Sequence, residues 1–303
     1  MLAVSNHLPP IPKHPLPSIH HLREMKQVKA KKQLGQHFLT DLGIAKAIAD
    51  TVDACPELPV LEIGPGMGVM TQFLKEKPRP FKVVEIDRES VEYLNQRWPE
   101  EDSVQQGRGQ EGASWIISGD FLQMDLHDVF DGKPFVLTGN YPYDISSQIF
   151  FKMLDNKDLI PCCTGMIQRE VALRIASQPG NKAYGILSVL IQAWYDTEYL
   201  FTVEPSVFNP PPKVQSAVIR MTRNNVTDLG CDEVLFKRVV KTVFNQRRKM
   251  LRVSLRQIFN GENQASPEFF TNEMMTKRPE QLSVQQFVEL TNLIEGEIER
   301  LKD

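Results

Sequence analysis

Short apolar runs that recur between residues 59 and 168 constrain the fold of this chain more than any other feature. The runs are rich in Val, Ile and Phe and cover 59–63, 81–86, 114–118, 134–139 and 163–168. Apolar residues at helical spacing predict helices over 43–54, 88–97, 146–155 and 185–195. Short buried runs that alternate with helices are typical of a mostly parallel α/β sheet.

The rest of the chain divides into parts of different character. Two later runs, 198–204 and 214–221, have no long connection between them and are predicted to pair antiparallel. The β-type runs then stop and helical spacing takes over. The sequence therefore predicts a disordered basic arm over 1–32, an α/β domain over 33–222 and a small all-helical domain over 223–303. Residues 99–113 form a polar insertion, predicted to be a loop.

Composition excludes several classes of protein. A chain of 303 residues with 41% hydrophobic residues has room for one large domain and one smaller domain. No run approaches the roughly 20 apolar residues that a membrane helix needs, and the first residues lack the pattern of a secretory signal. The four cysteines form no CxxC pair, and the six histidines show no metal-ligand spacing with them. We therefore expect reduced thiols, no metal site, no membrane association and a cytoplasmic protein.

The distribution of charge indicates more than the net charge of −3 does. The segment from Lys237 to Arg256 contains eight Lys or Arg residues and no acidic residue, and the first 32 residues contain six against one acid. Two basic blocks in a nearly neutral chain favour contact with a polyanion. The alternative is an ordinary solvated helix face. Met25 directly precedes the basic run of the arm and is a second candidate for the natural start.

A glycine-rich turn follows the first predicted strand. The stretch VLEIGPGMGVMT places Gly64, Gly66 and Gly68 after the strand and before a predicted helix, with Glu62 just ahead of them. Glycines in this position let the backbone approach a ligand closely. The spacing is GxGxG, which differs from the GxGxxG of dinucleotide-binding proteins, and the lysine of a P-loop is missing. The turn alone does not specify the ligand.

Acidic residues follow the next two strands. Glu85 lies 21 residues after Gly64 and is followed by Asp87, and Asp120 follows the third strand. A carboxylate at the end of the second strand can bind ribose hydroxyls, and the ends of parallel strands meet at one edge of the sheet. The three features together predict an adenosine-type pocket there. The alternative for each acid is a helix cap or a surface charge.

The stretch TGNYPYDIS follows the fourth strand at the same edge. It sets Asn140, Tyr141, Pro142 and Tyr143 side by side. The proline fixes its own φ and restricts the residue before it, so the backbone is stiff. Stiff backbone with aromatic side chains indicates a surface for a flat ligand. The alternative is a proline-containing turn with packed aromatic rings.

With these motifs together, the chain resembles the S-adenosylmethionine-dependent small-subunit ribosomal RNA adenine dimethyltransferases (the KsgA type). The matching stretches are QLGQHFLTD (33–41), EIGPGMG (62–68), VVEID (83–87), GDFL (119–122), GNYPYDIS (139–146), REVALRI (169–175), AYGILSVLIQ (183–192), VFNPPPKVQSAV (207–218) and FNQRRKMLR (244–252). They occur in the family's order. The resemblance implies a Rossmann-like methyltransferase sheet with an antiparallel last strand and a C-terminal helical domain.

The resemblance also implies a cofactor, S-adenosylmethionine, with S-adenosylhomocysteine as its product. Carried over by position, the implied contacts are His37 and Leu39 at the methionine end, Gly64 and Gly66 in the glycine turn, Glu85 at the ribose, Asp120 at the adenine, and Asn140, which is shared with the target base. Two positions depart from the family. His37 stands where Asn is more common, so we expect a backbone contact from it, and Tyr141 stands where Leu is common, so we expect it to pack as a hydrophobe.

The target base would be held by the residues around Asn140. The Asn140 side-chain oxygen and a backbone carbonyl of Tyr141 or Pro142 would accept the two hydrogens of an adenine amine, whose lone pair then turns toward the methyl donor. Tyr143 would stack on the base, which is flipped out of its helix or loop. The resemblance assigns Phe208 to the other face of the base. The alternative for Phe208 is packing in the core.

The resemblance implies dimethylation of two adjacent adenines near the 3′ end of 16S rRNA in the small ribosomal subunit, by a monomer. Lys213, Arg247, Arg248 and Lys249 are the candidate contacts to RNA phosphates. One alternative is the related large-subunit RNA methyltransferase that confers macrolide resistance. Another is a ribosome-assembly factor that binds RNA without catalysis. A nicotinamide dehydrogenase would fit the sheet but would not explain GNYPY.

Overall fold

A seven-stranded mixed sheet forms the centre of this computed structural model, which describes residues 31, 36–99, 114–259 and 264–302. The strands are β1 (Phe38–Leu39), β2 (Val60–Ile63), β3 (Phe81–Glu85), β4 (Ile116–Ser118), β5 (Val136–Asn140), β6 (Cys162–Gln168), β7 (Tyr195–Val203), β8 (Phe208–Asn209) and β9 (Ser216–Arg223). The sheet has the order β4-β3-β2-β5-β6-β9-β7, and β1 and β8 form a separate pair.

The direction of the strands confirms the prediction of a mostly parallel sheet. Parallel pairs join β2 to β3 and β5, β3 to β4, and β5 to β6, whereas β9 is antiparallel to both β6 and β7. The antiparallel pairing of the two late runs and the antiparallel last strand are thus confirmed as well. Strand β2 is buried along its whole length, and β5 is buried up to Asn140. Helices cover both faces of such a sheet, which is why its strands are continuous apolar runs.

The helices of the described residues are α1 (Leu42–Asp50), α2 (Thr71–Lys75), α3 (Arg88–Arg97), α4 (Ser146–Asp155), α5 (Arg169–Ala176), α6 (Ile186–Gln192), α7 (Glu233–Asn245), α8 (Leu251–Ser254) and α9 (Val284–Arg300). Side-chain caps begin several of them. The Asp41 carboxylate accepts a hydrogen bond from the Ile44 amide at 2.9 Å, and the Ser283 hydroxyl accepts one from the Gln286 amide at 3.2 Å. Such caps satisfy amide groups that have no partner within the helix.

Several predicted boundaries shift in the structure. The predicted helix 43–54 ends at Asp50 and continues as a 3₁₀ turn over Thr51–Ala54. The predicted helix 185–195 ends at Gln192, because the backbone from Tyr195 onward pairs with β9 and cannot remain helical. Helix α5, which directly follows β6, was not among the predicted helices. Its buried residues Val171, Ala172 and Ile175 form one apolar face of about two turns.

The segment after β9 is helical, as predicted, and it packs onto the sheet domain. Helix α7 contacts α6 and α9. The ring of Phe244 in α7 stacks on Phe287 in α9 with centroids 5.8 Å apart. Phe244 and Phe287 belong to the same hydrophobic cluster as Phe150 in α4, so apolar packing is continuous from the sheet into the helical segment. The boundary between an α/β domain and a helical domain at residues 222 and 223 stays a prediction.

The short pair of β1 and β8 joins two distant parts of the chain. Phe38 pairs with Asn209 and Leu39 pairs with Phe208. Just beyond the pair, the Thr40 amide and hydroxyl both donate to the Val207 carbonyl, at 2.8 and 2.9 Å. Residues 36–40 are thereby held against the loop that contains Phe208, across the carboxyl edge of the sheet.

Two predicted segments lie outside the described residues, apart from Lys31 and Pro99. These are the arm over 1–32 and the loop over 99–113. Within the part of the chain that the structure describes, no helix has the length and apolar character needed to cross a membrane.

Candidate active site

A pocket of about 270 Å³ opens at the carboxyl ends of β2, β3, β4 and β5. Predicted site residues that line it are His37, Leu39, Gly64, Gly66, Glu85, Asp120, Asn140, Tyr141, Pro142 and Tyr143. Predicted site residues that are not part of its lining are Phe208, Lys213, Arg247, Arg248 and Lys249. The structure therefore brings the cofactor-type residues and the GNYPY residues into one cavity, as expected where parallel strands end at a common edge.

The glycine turn between β2 and α2 has backbone angles that favour glycine. Gly66 and Gly68 have φ angles of +54° and +74°. A Cβ atom at Gly66 would lie 3.0 Å from the Phe38 ring, and one at Gly68 would lie 2.5 Å from the Trp98 ring. The left-handed backbone and the lack of space together exclude larger side chains here. The main chain of the turn consequently forms one wall of the pocket.

Glu85 is held by backbone amides at the end of β3. Its Oε2 accepts a hydrogen bond from the Gly66 amide at 3.1 Å, and its Oε1 accepts one from the Asp87 amide at 2.9 Å. The side chain is only 4% exposed, and burial raises the pKa of its carboxyl, although the Asp87 and Gly66 amides act in the opposite direction. Each carboxylate oxygen keeps a lone pair for another donor. Glu85 is thus oriented to accept hydrogen bonds from a ligand in the pocket.

Asp87 has a different role from Glu85. Its side chain caps α3 by accepting from the Glu89 amide at 3.2 Å, and it also forms an ion pair with Lys31 at 2.6 Å. Burial acts to raise the pKa of this carboxyl, but the hydrogen bonds from Lys31 and Glu89 prevail and lower it. For Asp87 the helix-cap alternative is therefore the one that the structure favours.

Glu62, in β2, was not assigned to the site from the sequence, but it lines the pocket. It is 2% exposed, and its Oε2 accepts a hydrogen bond from the Thr71 hydroxyl at 2.7 Å. Burial raises the pKa of its carboxyl to about 8, and the negative charge of Glu85 adds to the effect while the Thr71 hydroxyl opposes it. Its signal in the sequence was an acidic residue inside an otherwise apolar run, which is rare without a functional reason.

Asp120 lies in the turn after β4. Its Oδ1 accepts a hydrogen bond from the Leu122 amide at 2.9 Å. The turn is fastened from two sides, because the Gly119 amide donates to the Glu85 carbonyl at 2.9 Å and Lys152 donates to the Leu122 carbonyl at 3.0 Å. These bonds hold the half-buried Asp120 carboxylate beside the pocket, where a hydrogen-bond donor of a purine could reach it.

Asn140 is the last residue of β5, and its side-chain amide is oriented by the chain. Its Nδ2 lies 3.1 Å from the carbonyl oxygen of His37. A carbonyl oxygen can only accept, so the NH₂ group must face His37 and Oδ1 must face the other way. The Asn140 oxygen is consequently available as an acceptor in the pocket.

Tyr141 is buried beneath the site. Its side chain is 1% exposed, and its hydroxyl lies 3.0 Å from the Thr164 carbonyl, 3.2 Å from the Leu137 carbonyl and 3.2 Å from Cys163 Sγ. The expectation that it packs inward is thus met, but the hydroxyl is hydrogen-bonded and Tyr141 is more than a hydrophobe. Its amide donates to the Met166 carbonyl at 2.9 Å, which fixes the backbone next to Asn140.

Tyr143 is held at its hydroxyl and at one face. The hydroxyl lies 2.5 Å from Ser216 Oγ, on β9. The His37 ring stacks on it with centroids 5.7 Å apart and an interplanar angle of 29°. Sequence reasoning missed Ser216, because a serine at the start of a strand carries no signal by itself.

The remaining predicted residues do not line the pocket. Phe208 is 4% exposed and packs in the cluster that contains Leu39, which itself lines the pocket. Lys213 is exposed on the loop before β9. In the turn after α7, Arg248 and Lys249 are exposed, whereas Arg247 donates to the Asn181 carbonyl at 3.4 Å and lies 3.9 Å from Glu280.

Among the residues that the structure describes, no group of His, Cys, Asp or Glu side chains could hold a metal ion.

The fold and the pocket together define a class, the Rossmann-like methyltransferases. A dimethyladenosine transferase from Plasmodium falciparum shares the fold with a TM-score of 0.69 at 22% identity, over 86% of this chain and 98% of that one. The 23S rRNA methyltransferase ErmE aligns with a TM-score of 0.59 at 25% identity, over 83% and 99% of the two chains.

Comparison of sequences narrows the class to one family. The model of the family described as ribosomal RNA adenine dimethylase matches residues 27–295. A protein of Phocaeicola vulgatus, named ribosomal RNA small subunit methyltransferase A, is 64% identical over 280 residues, which are 92% of this chain and 94% of that protein. A protein of the same name from Bacteroides thetaiotaomicron is 65% identical over 271 residues, 89% of this chain and 96% of that protein. The chain belongs to the ribosomal RNA adenine dimethylase family and is a methyltransferase.

Proposed function

We propose that this chain transfers methyl groups from S-adenosylmethionine to the N6 amines of two adjacent adenines near the 3′ end of 16S rRNA in the small ribosomal subunit. The names of the relatives at 64 and 65% identity support the substrate. The observation that carries the chemistry is the hydrogen bond between Asn140 Nδ2 and the His37 carbonyl, because it leaves an acceptor oxygen in the pocket.

The residues at the β2–β4 side of the pocket fit this cofactor. A Cβ atom built on Gly64 would have no other atom within 4 Å, so the main chain there borders open space that a ligand can enter. Glu85 would hold the ribose hydroxyls and Asp120 the adenine amine, while His37 and Leu39 would lie at the methionine end. S-adenosylmethionine, when bound, supplies a methyl group on a positively charged sulfur.

The residues at the β5 side orient the target base. An adenine N6 amine is a poor nucleophile, because its lone pair is delocalised into the ring. Asn140 Oδ1 and a backbone carbonyl of Tyr141 or Pro142 accept its two hydrogens, so the lone pair is directed out of the ring plane. The protein contributes by positioning and provides no nucleophile of its own. Tyr143 stacks on the base, a contact worth about 1–3 kcal/mol.

Contact with RNA outside the pocket is electrostatic. Arg248, Lys249 and Lys213 are exposed cations that would contact phosphates and add affinity without sequence preference. Arg247 also contacts Asn181 and lies near Glu280, so part of its role would be to support the helical segment. We further propose that the protein acts in the cytoplasm as a monomer.

The affinity of the chain for S-adenosylmethionine tests the cofactor part of the proposal. Glu85→Ala is expected to raise the dissociation constant about tenfold or more, because a buried carboxylate that accepts hydrogen bonds from ligand hydroxyls is lost. Isothermal titration calorimetry of the purified variants measures this, with Glu89→Ala, an exposed acid on α3, as the control. An unchanged dissociation constant for Glu85→Ala would remove its role at the ribose.

Methyl transfer to ribosomal particles tests the substrate. Unmethylated small and large subunits are incubated separately with the protein and labelled S-adenosylmethionine, and the labelled nucleoside is identified. Dimethyladenosine in the small subunit alone is the expected result. Label in the large subunit would favour the substrate named for ErmE. Cofactor binding without label in either particle would favour an RNA-binding assembly factor.

A further inference from the structure

The imidazole ring of His37 contacts the part of the pocket assigned to the target base. The ring stacks on Tyr143 with centroids 5.7 Å apart, and its Nδ1 lies 2.9 Å from the Pro210 carbonyl oxygen. Since a carbonyl can only accept, the second contact requires the tautomer that carries hydrogen on Nδ1. The ring is therefore fixed at one edge by the loop after β8 and lies against Tyr143 with its face.

The side chain of Tyr143 has one described hydrogen bond, at its hydroxyl, while its backbone carbonyl accepts from the Ser146 hydroxyl at 3.2 Å. Ser216 Oγ lies 2.5 Å from that hydroxyl, at the far end of the ring. A bond at the hydroxyl leaves rotation of the ring about its long axis free, whereas a ring stacked on one face restricts it. His37 supplies that second restraint on one face, and Tyr143 also lines the pocket in which a flat ligand would lie.

We propose that His37 is a positioning residue for the target base. Its ring packs against one face of Tyr143, and the base stacks on the other face. This rests on the proposed function, in which the base stacks on Tyr143. It differs from the expectation that residue 37 contributes through its backbone at the methionine end of the cofactor. Asparagine at position 37 could donate to the Pro210 carbonyl but would offer no ring.

Three substitutions of His37 separate the ring face from the hydrogen bond. His37→Ala removes both, His37→Asn keeps a donor, and His37→Phe keeps a ring. His37→Ala and His37→Asn are expected to lower kcat/KM for small subunits by about 3- to 10-fold, the effect of losing one aromatic contact. His37→Phe is expected to stay within about 2-fold of the unaltered protein, because stacking requires only the ring. His127→Ala, on an exposed histidine that does not line the pocket, is the matched control.

The dissociation constant for S-adenosylmethionine is measured on the same proteins. A positioning role at the base predicts an unchanged constant for all three variants, together with reduced kcat/KM for His37→Ala and His37→Asn. Full activity of His37→Asn, or a loss in His37→Phe as large as in His37→Ala, would overturn the role of the ring. Weaker cofactor binding that accounts for the lost activity would also overturn it.

Asn140→Ala is assayed in parallel, so that the two proposals fail separately. An inactive Asn140→Ala together with a fully active His37→Ala would refute the role of His37 and leave the proposed function standing. A fully active Asn140→Ala would refute the proposed arrangement of the amine itself.

Discussion

The NH₂ half of the Asn140 amide donates to the His37 carbonyl, and in the proposed function the oxygen half is left for the substrate. A flip of the amide would lose this part-buried hydrogen bond and would place two acceptor oxygens against each other. A side chain that merely lined the cavity would be free to flip. If the proposed function holds, Asn140 is therefore preorganised as an acceptor before any substrate arrives.

Asn140→Ala tests this preorganisation. We expect methyl transfer to fall by about 100-fold or more, since misplacing a reacting group has effects of that size. The dissociation constant for S-adenosylmethionine should change little, because Glu85 and the glycine turn remain. Single-turnover methylation and calorimetry measure the two quantities. Transfer at the rate of the unaltered protein would contradict the orienting role.

Glu62 makes the stability of the protein depend on pH. Its carboxyl has a pKa of about 8 in the folded protein, against 4.5 as its ordinary value. Between these values the folded state holds a proton that the unfolded state has lost, so the contribution of Glu62 to stability is full below about pH 4.5 and is lost as pH rises through 8. The sign is therefore a decrease of stability with increasing pH.

Glu62→Gln should remove this dependence. Glutamine resembles the neutral acid and can still accept from the Thr71 hydroxyl. We expect the variant to gain stability relative to the unaltered protein on going from pH 5 to pH 9, by an amount on the order of a few kcal/mol. Urea unfolding of both proteins without cofactor, at several pH values, measures the difference. Parallel pH curves for the two proteins would show that Glu62 is ionised in the folded state throughout.

At the scale of elements, the sequence alone predicts a strand wherever the apolar pattern lies within that one strand. The runs that became β2, β3, β5 and β6 are each buried on both faces, so their apolar composition could be recognised without the rest of the fold. The carboxyl edge then followed from parallel pairing, and with it the grouping of Gly64, Glu85, Asp120 and Asn140.

What the sequence could not provide are contacts between segments far apart in the chain. The pairing of β1 with β8 involves two residues on each side, too few for a periodic pattern. The Ser216 contact of Tyr143 and the hydroxyl contacts of Tyr141 depend on strand register, which composition does not encode. Phe208 could be assigned to the base or to the core from the sequence, and its side chain is 4% exposed in this structure.

The close approach of β5 to β2 gives a prediction for one element. A Cβ atom on Gly139 would lie 2.6 Å from the Ile63 carbonyl oxygen, which is backbone and cannot move aside alone. Gly139→Ala should therefore lower the free energy of unfolding by about 1–3 kcal/mol and shift Asn140 enough to reduce methyl transfer. Denaturant unfolding and the transfer assay measure both effects.

Gly296→Ala, in α9, is the matched control for that substitution. A Cβ atom there would meet nothing within 4 Å, and alanine favours a helix by about 0.5–1 kcal/mol. The control should thus be slightly more stable than the unaltered protein. Equal stability of Gly139→Ala and the unaltered protein would mean that β5 and β2 adjust without cost.

At the scale of the whole molecule, acidic and basic side chains occupy different places. The acidic side chains Glu62, Glu85 and Asp120 surround the cavity, whereas the basic residues Arg248 and Lys249 lie after α7 in the helical segment. A net charge of −3 therefore coexists with a local surface suited to phosphates.

Replacing Arg248 and Lys249 together with Ala should weaken binding to small subunits and reduce the slope of log affinity against log salt by about 1 to 2. The reason is that binding releases fewer counterions for each phosphate contact that is lost. Binding at several salt concentrations measures the slope, and Lys133→Ala, an exposed cation just before β5, serves as the control. An unchanged slope in the double variant would indicate an ordinary solvated surface.

The pairing of β1 with β8 has a consequence for the order in which a ribosome makes this chain. Asn140 is oriented by His37, and residues 37–40 are held by residues 207–210, which are synthesised after six of the seven strands of the main sheet. A growing chain can therefore form the proposed cofactor side of the pocket, from β2 to β4, long before the His37 carbonyl is in place to orient the Asn140 amide. The side of the pocket that holds Asn140 is completed only after residues 207–210 have been made, when two segments that are distant in the sequence meet.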